Sequence, residues 1–156
     1  MSTFETQPNQ TENTQLSLYY LWLKSLTKEE LKTEYQDKLK QATEPLSEEQ
    51  LHLLAIYSLP SSHVFSPYRA KSMLNNQPFN AYIESTQTPE NRAFVSILRD
   101  QLNQQLLLMQ RADNLNKKAK QTNAQLTLQL TMAQQASAAL EKKLNQLKSI
   151  EQQLSK

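Results

Sequence analysis

The sequence has no glycine and no cysteine. Average usage of roughly 7% glycine would put about eleven in a chain of this length, so turns that need positive φ must be avoided or made by other residues. Long helices avoid them most easily. Without glycine there is no phosphate-cradling loop, which removes the Walker A and dinucleotide-binding fingerprints together. Without cysteine there is no disulfide framework, no thiolate nucleophile and no sulfur-ligated metal. Long apolar runs are also missing. The longest, LSLYYLWL at 16–23, is far short of the roughly 20 residues that cross a bilayer.

What is present points to helices with much of their circumference in water. Only 38% of the residues are hydrophobic, and 20 of the 156 are glutamine, which is too little apolar material for a large globular core. The net charge of +2 hides an asymmetry. Residues 1–88 carry 7 Lys/Arg against 10 Asp/Glu, whereas residues 89–156 carry 10 against 5. That basic surplus does not read as a nucleic-acid interface. Lys117, Lys118 and Lys120 lie off the apolar seam described below, and no aromatic residue that could stack on a base follows Phe94.

Three segments follow from the patterning. Residues 1–14 are polar, without apolar periodicity, and are expected to form a disordered leader. Residues 15–88 read as a helical head. Its first helix carries Tyr19, Tyr20 and Trp22, expected to pack on neighbouring helices. In LTKEEL, Thr27 is placed as N-cap with Glu30 closing a capping box, and Leu26 and Leu31 as a hydrophobic staple. LSEEQL repeats the pattern, with Ser47 as cap, Gln50 at N3 and Leu46 and Leu51 as staple. A helical hairpin turning at residues 43–46 is the expected result, its second helix stopping near Pro60. Ser66 before Pro67 opens a further helix. Asn75, Asn76 and Pro78 close that one, and PFNAYIES forms another. Thr88 before Pro89 opens the last, covering 89–156, which would extend about 100 Å.

The last helix carries the most specific pattern. With Leu140 at position d, the a and d positions from Val95 to Leu154 run through more than eight heptads without a stutter, the signature of a left-handed coiled-coil seam. From 95 to 109 the seam is widened by Leu106 and Leu108 and is expected to pack on the head. From 112 to 123 it reads Ala112, Asn116, Ala119, Asn123, and from 126 the leucines return, with Glu151 interrupting them. The expected architecture is therefore all-α: a small head of a helical hairpin plus short helices, then one long C-terminal coiled-coil helix.

Nothing in the chain reads as catalytic machinery. His52 and His63 are 11 residues apart, with no carboxylate spacing that pairs them as metal ligands. Ser66 is a helix cap, and Glu29, Glu30, Glu48 and Glu49 fall in first helical turns, where the helix dipole favours acids. No cofactor, no metal and no enzymatic activity are expected.

Four stretches in order, LYYLWLKSL, SPYRAKSML, LRDQLNQQLLL and LEKKLNQLKSIEQQLS, resemble the QseG-type outer-membrane lipoproteins. These accompany two-component systems of the QseE/QseF type, also called GlrK/GlrR. The likeness spans roughly residues 16–156. It is carried by Leu144, Leu147, Ile150, Glu151, Gln153, Leu154 and Ser155 at the tip, by Arg99 and Asp100 where the long helix begins, and by Pro67 and Tyr68 at a helix start. The family's lipid-bearing cysteine and signal peptide are not in this sequence, and the resemblance implies that both would precede Met1. It further implies a periplasmic protein, anchored to the outer membrane only through that lipid, which binds the sensor domain of a membrane histidine kinase and modulates its signalling. The contact is expected at Leu126, Leu130, Leu140, Leu144, Leu147 and Leu154, flanked by Ile150. Three alternatives stay open: a homodimer through the same seam, a structural envelope spacer or self-assembling adaptor, and an intracellular adaptor or secretion chaperone.

Overall fold

Helix ends in this chain are set by side chains that stand in for missing backbone partners. A computed structural model describes residues 15–155, and among the described residues there are six helices and no strand: α1 Leu16–Ser25, α2 Lys28–Gln41, α3 Glu48–Ser58, α4 Pro67–Asn75, α5 Gln77–Thr86 and α6 Pro89–Leu154. The all-α architecture with a long last helix is thus observed. The leader expected over residues 1–14 lies outside the described residues. Those residues fall into two compact units, the first ending at Leu108 and the second starting at Met109. The division lies inside α6, so the opening turns of that helix belong with the head.

Most of the caps form as the sequence reads. The Thr27 hydroxyl accepts from the Glu30 N–H at 3.2 Å, and the Glu30 carboxylate accepts from the Thr27 N–H at 3.1 Å, a complete capping box. Ser66 accepts from the Arg69 N–H at 3.2 Å with Pro67 behind it. Thr88 accepts from the Asn91 N–H at 3.2 Å. Asn76 serves twice, ending α4 and capping α5 by accepting from the Phe79 N–H at 3.1 Å.

The second expected capping box does not form. Ser47 stands at the N-cap position of α3, but its hydroxyl donates to the Glu44 carbonyl at 3.1 Å and makes no bond to the helix. The link bends at residues 44–47, around Pro45, and this brings the Glu44 carbonyl to the serine. Leu46, expected to staple onto Leu51, is exposed, whereas Leu51 is buried.

α3 is the centre of the head. Every residue from Leu51 to Ser58 is buried, as befits a helix enclosed by neighbours and apolar around its circumference. α1, α2 and α4 pack on it, and the Ser66 N–H donates to the Tyr57 carbonyl at 2.9 Å, tying the start of α4 to the end of α3. α6 enters this core through Val95, Leu98 and Leu102. Arg99 fixes it further, its Nη2 donating to Asn80 Oδ1 at 3.1 Å and reaching the Leu74 carbonyl at 3.5 Å.

α1 touches the start of α6 at two points, Leu16 at Asn91 and Tyr20 at Phe94. It has no local side-chain cap. Asn91 supplies one instead, its Oδ1 accepting from the Leu16 N–H at 2.8 Å while its amide donates to Gln87 Oε1 at 2.9 Å. The sequence pattern suggested cover out to residue 109. Burial ends sooner, with Leu102 buried, Leu106 half-buried, and Leu108 and Met109 exposed.

A polar cluster sits inside the head. The Tyr19 hydroxyl donates to Glu34 Oε1 at 2.8 Å, Glu34 lies 3.7 Å from the Lys38 ammonium, and Lys38 stands 5.9 Å from the centre of the Tyr19 ring. Burial, reinforced by the Glu34 charge and hydrogen bond, pushes the Tyr19 hydroxyl well above the ordinary range, so it stays a donor. His52 stacks on Tyr19 with ring centres 4.1 Å apart, and its Nδ1 is buried without a hydrogen-bond partner.

Burial, with the Lys38 charge adding to it, pushes His52 down to about 3 from 6.5. Below pH 6.5 the unfolded chain takes up a proton that the folded chain refuses. The stability from this group is therefore fully present above that value and is lost as the pH falls toward 3. Glu48, one turn before His52, is shifted upward, mainly by burial and by Glu49, with Lys38 opposing. It contributes with the opposite sign, adding stability as the pH falls through its raised value toward 4.5. Denaturant midpoints at pH 7 and pH 5 should differ by roughly 2 kcal/mol in unfolding free energy for the wild type. His52→Phe, which can keep the ring stack, should remove most of that difference.

Candidate functional site

A heptad spacing places side chains on one face of an α-helix, drifting about 20° per repeat. Leu126, Leu130, Leu140, Leu144, Leu147 and Leu154 share such a face on α6, with Ile150 at its margin. In the second compact unit every residue described is exposed. The seven positions expected from the sequence range from 51% exposed at Leu144 to 81% at Leu154. The structure thus gathers all seven along one edge and covers none of them. Residues 126–154 span about 42 Å at 1.5 Å per residue. Because the edge drifts around the helix, a partner helix that follows it must wind left-handedly.

Each leucine still shows more than half its surface to water, so full burial by a partner would contribute roughly 1 kcal/mol apiece. Six such contacts make a usable binding edge. The edge is interrupted, however. Ala133 and Ser137 separate Leu130 from Leu140, and Glu151 occupies an a position between Leu147 and Leu154.

In the second unit the sequence pattern did not single out three further exposed apolar side chains that lie off the a/d positions, Leu115, Leu128 and Met132. Leu128 and Met132 lie off the a/d seam, on the far side of the helix. Their signal was the strict alternation in QLTLQLTM, 125–132: a two-residue period on a helix puts apolar groups on both sides. Around these residues α6 is apolar over much of its circumference.

The head offers a shallow groove of about 520 Å³ whose walls include Pro45, Leu46, Met73, Pro78 and Phe79. No ionisable side chain lines it. His63 is exposed and lies edge-on to Tyr35, 5.5 Å between ring centres, whereas His52 is buried against Tyr19, so the two imidazoles share no site. Among the described residues no three His, Cys, Asp or Glu side chains come together as a metal site, and no helix is long and apolar enough to cross a membrane. The feature with the most unsatisfied apolar surface is the leucine edge. No family model, no curated protein and no solved structure matches the chain.

Proposed function

We propose that this protein is a non-enzymatic accessory protein that works by docking the leucine edge of α6 onto a helical partner. The observation that carries the reading is the set of six heptad-spaced leucines left open to water on one helix face. Isolated exposed leucines are ordinary on protein surfaces, whereas an ordered row of them marks an interaction site. Helix-in-groove recognition uses anchors at this kind of spacing.

We take the partner, on the resemblance to the QseG-type lipoproteins, to be the periplasmic sensor domain of a membrane histidine kinase, and the protein itself to be held at the outer membrane by a lipid. Docking changes the kinase's signalling state only to the extent that the edge binds one of its conformations more tightly than the other. Titrating the full chain into the purified sensor domain should give saturable binding. Leu144→Asp with Leu147→Asp should weaken it at least about 100-fold, since two apolar anchors become charges facing a desolvated surface. The head should melt unchanged. Wild-type affinity in the double variant would remove the edge as the contact.

A second reading has its own support: Asn116 and Asn123 at a positions are residues that fix register and strand number in paired coiled coils. On that reading the protein is a self-assembling spacer. Sedimentation would show a concentration-dependent dimer, and the sensor domain would not bind.

A further inference from the structure

We propose that the leucine edge is matched to a helix whose charge pattern differs from its own: an amphipathic segment that places acidic residues beside Lys143 and Lys148 and a basic residue beside Glu151. The inference rests on the docking function proposed above and specifies the chemistry of the docked helix.

Lys143 falls at position g and Lys148 at position e of the following heptad, on either side of the leucine seam. Both are exposed, as is Glu151 at position a. When two copies of a helix pair in parallel, a g residue of one meets the e residue five places further along the other. Lys143 would therefore face Lys148 of a second copy, and two-fold symmetry repeats the clash. Glu151 would face Glu151 of the second copy across the seam, where both carboxylates lose water. These like-charge contacts fall within 140–154, where the leucines are densest and where a dimer would draw its stability.

The upstream heptads do not compensate. Asn116 and Asn123 suit a paired helix, but with Ala112 and Ala119 beside them they bury little apolar surface. Residues 109–156 carry eight Lys/Arg against three Asp/Glu, a surplus of five positive charges. Complementary charge at e and g positions sets partner choice and orientation in coiled coils, and like-charge juxtaposition rejects wrong partners. Two lysines against one glutamate, Glu141 at position e, flank these leucines; that balance selects an acidic helix, and Glu151 on the edge demands one cation from it. A second copy in antiparallel register avoids the clashes and is the competing occupant.

The test uses the full chain and two labelled four-heptad peptides with the same leucine and alanine seam. One carries glutamate at e and g and lysine opposite Glu151, and the other has lysine at all of these positions. Anisotropy titration should show the acidic peptide binding about tenfold more tightly in low salt, with the preference lost in 1 M salt. Lys143→Glu with Lys148→Glu should reverse the order. Equal binding of both peptides, binding of neither, or a micromolar self-dimer of the wild-type chain that excludes both would overturn the proposal. The sensor-domain titration is read separately. Kinase binding without peptide discrimination removes the charge matching and leaves the docking function. Peptide discrimination without kinase binding removes the kinase and leaves the charge matching.

Discussion

Glu34→Leu is expected to destabilise the head by about 3–5 kcal/mol, because it strands the Lys38 ammonium in the interior. Lys38 is 4% exposed, its carboxylate partner is 3.7 Å away, and its other polar neighbour, Gln41 Oε1, is at 3.4 Å. The same substitution removes the acceptor of the Tyr19 hydroxyl, so two buried polar groups lose partners at once. Glu34→Leu combined with Lys38→Met should recover most of the loss, since well-packed apolar residues often replace a buried ion pair without cost. Denaturant titration of both variants checks this. A single variant as stable as the wild type would mean that water reaches Lys38.

Leu98→Ala should cost roughly 3–4 kcal/mol, and Leu144→Ala in the isolated chain less than about 0.5 kcal/mol. Both residues are leucines in the same heptad register of the same helix, yet Leu98 is 2% exposed and Leu144 is 51% exposed. At Leu98 the truncation opens a cavity against Leu102 and the packed core, adding a void term to the lost transfer energy. At Leu144 it removes atoms that already touch water. Thermal unfolding of the two variants side by side measures the contrast. In the presence of a bound partner the Leu144→Ala variant should fall behind the wild type, because only there does its side chain become interior.

That contrast marks where the sequence stops being informative. A heptad pattern says which side chains share a face, and it reads the same whether the cover comes from the chain's own head or from another molecule. The expected cover out to residue 109 overran the observed burial for this reason: the pattern continues past Leu102, where the head's buried core ends. The buried Glu34–Lys38 pair left an ordinary i,i+4 spacing in the sequence, indistinguishable from a solvated surface pair. His52 gave no hint of its stack on Tyr19, a residue 33 positions away.

Local chemistry, by contrast, was legible. Thr27 with Glu30, Ser66 with Pro67 and Thr88 with Pro89 set helix starts through bonds made within three or four residues, so no distant contact is needed to decide them. The absence of glycine and the unbroken seam likewise determined, without tertiary information, that the chain is helical and ends in one long helix with an apolar edge. Ser47 shows the limit even of this grammar, since a bend around Pro45 turned its hydroxyl to Glu44. Only the tertiary structure decided that Asn91 caps α1 from 75 residues away, that a lysine and a glutamate lie in the core, and that the leucines up to Leu102 are covered while those from Leu126 to Leu154 are not. The reason is physical: local caps are settled by neighbours along the chain, whereas burial and distant caps depend on which surfaces the folded elements bring together.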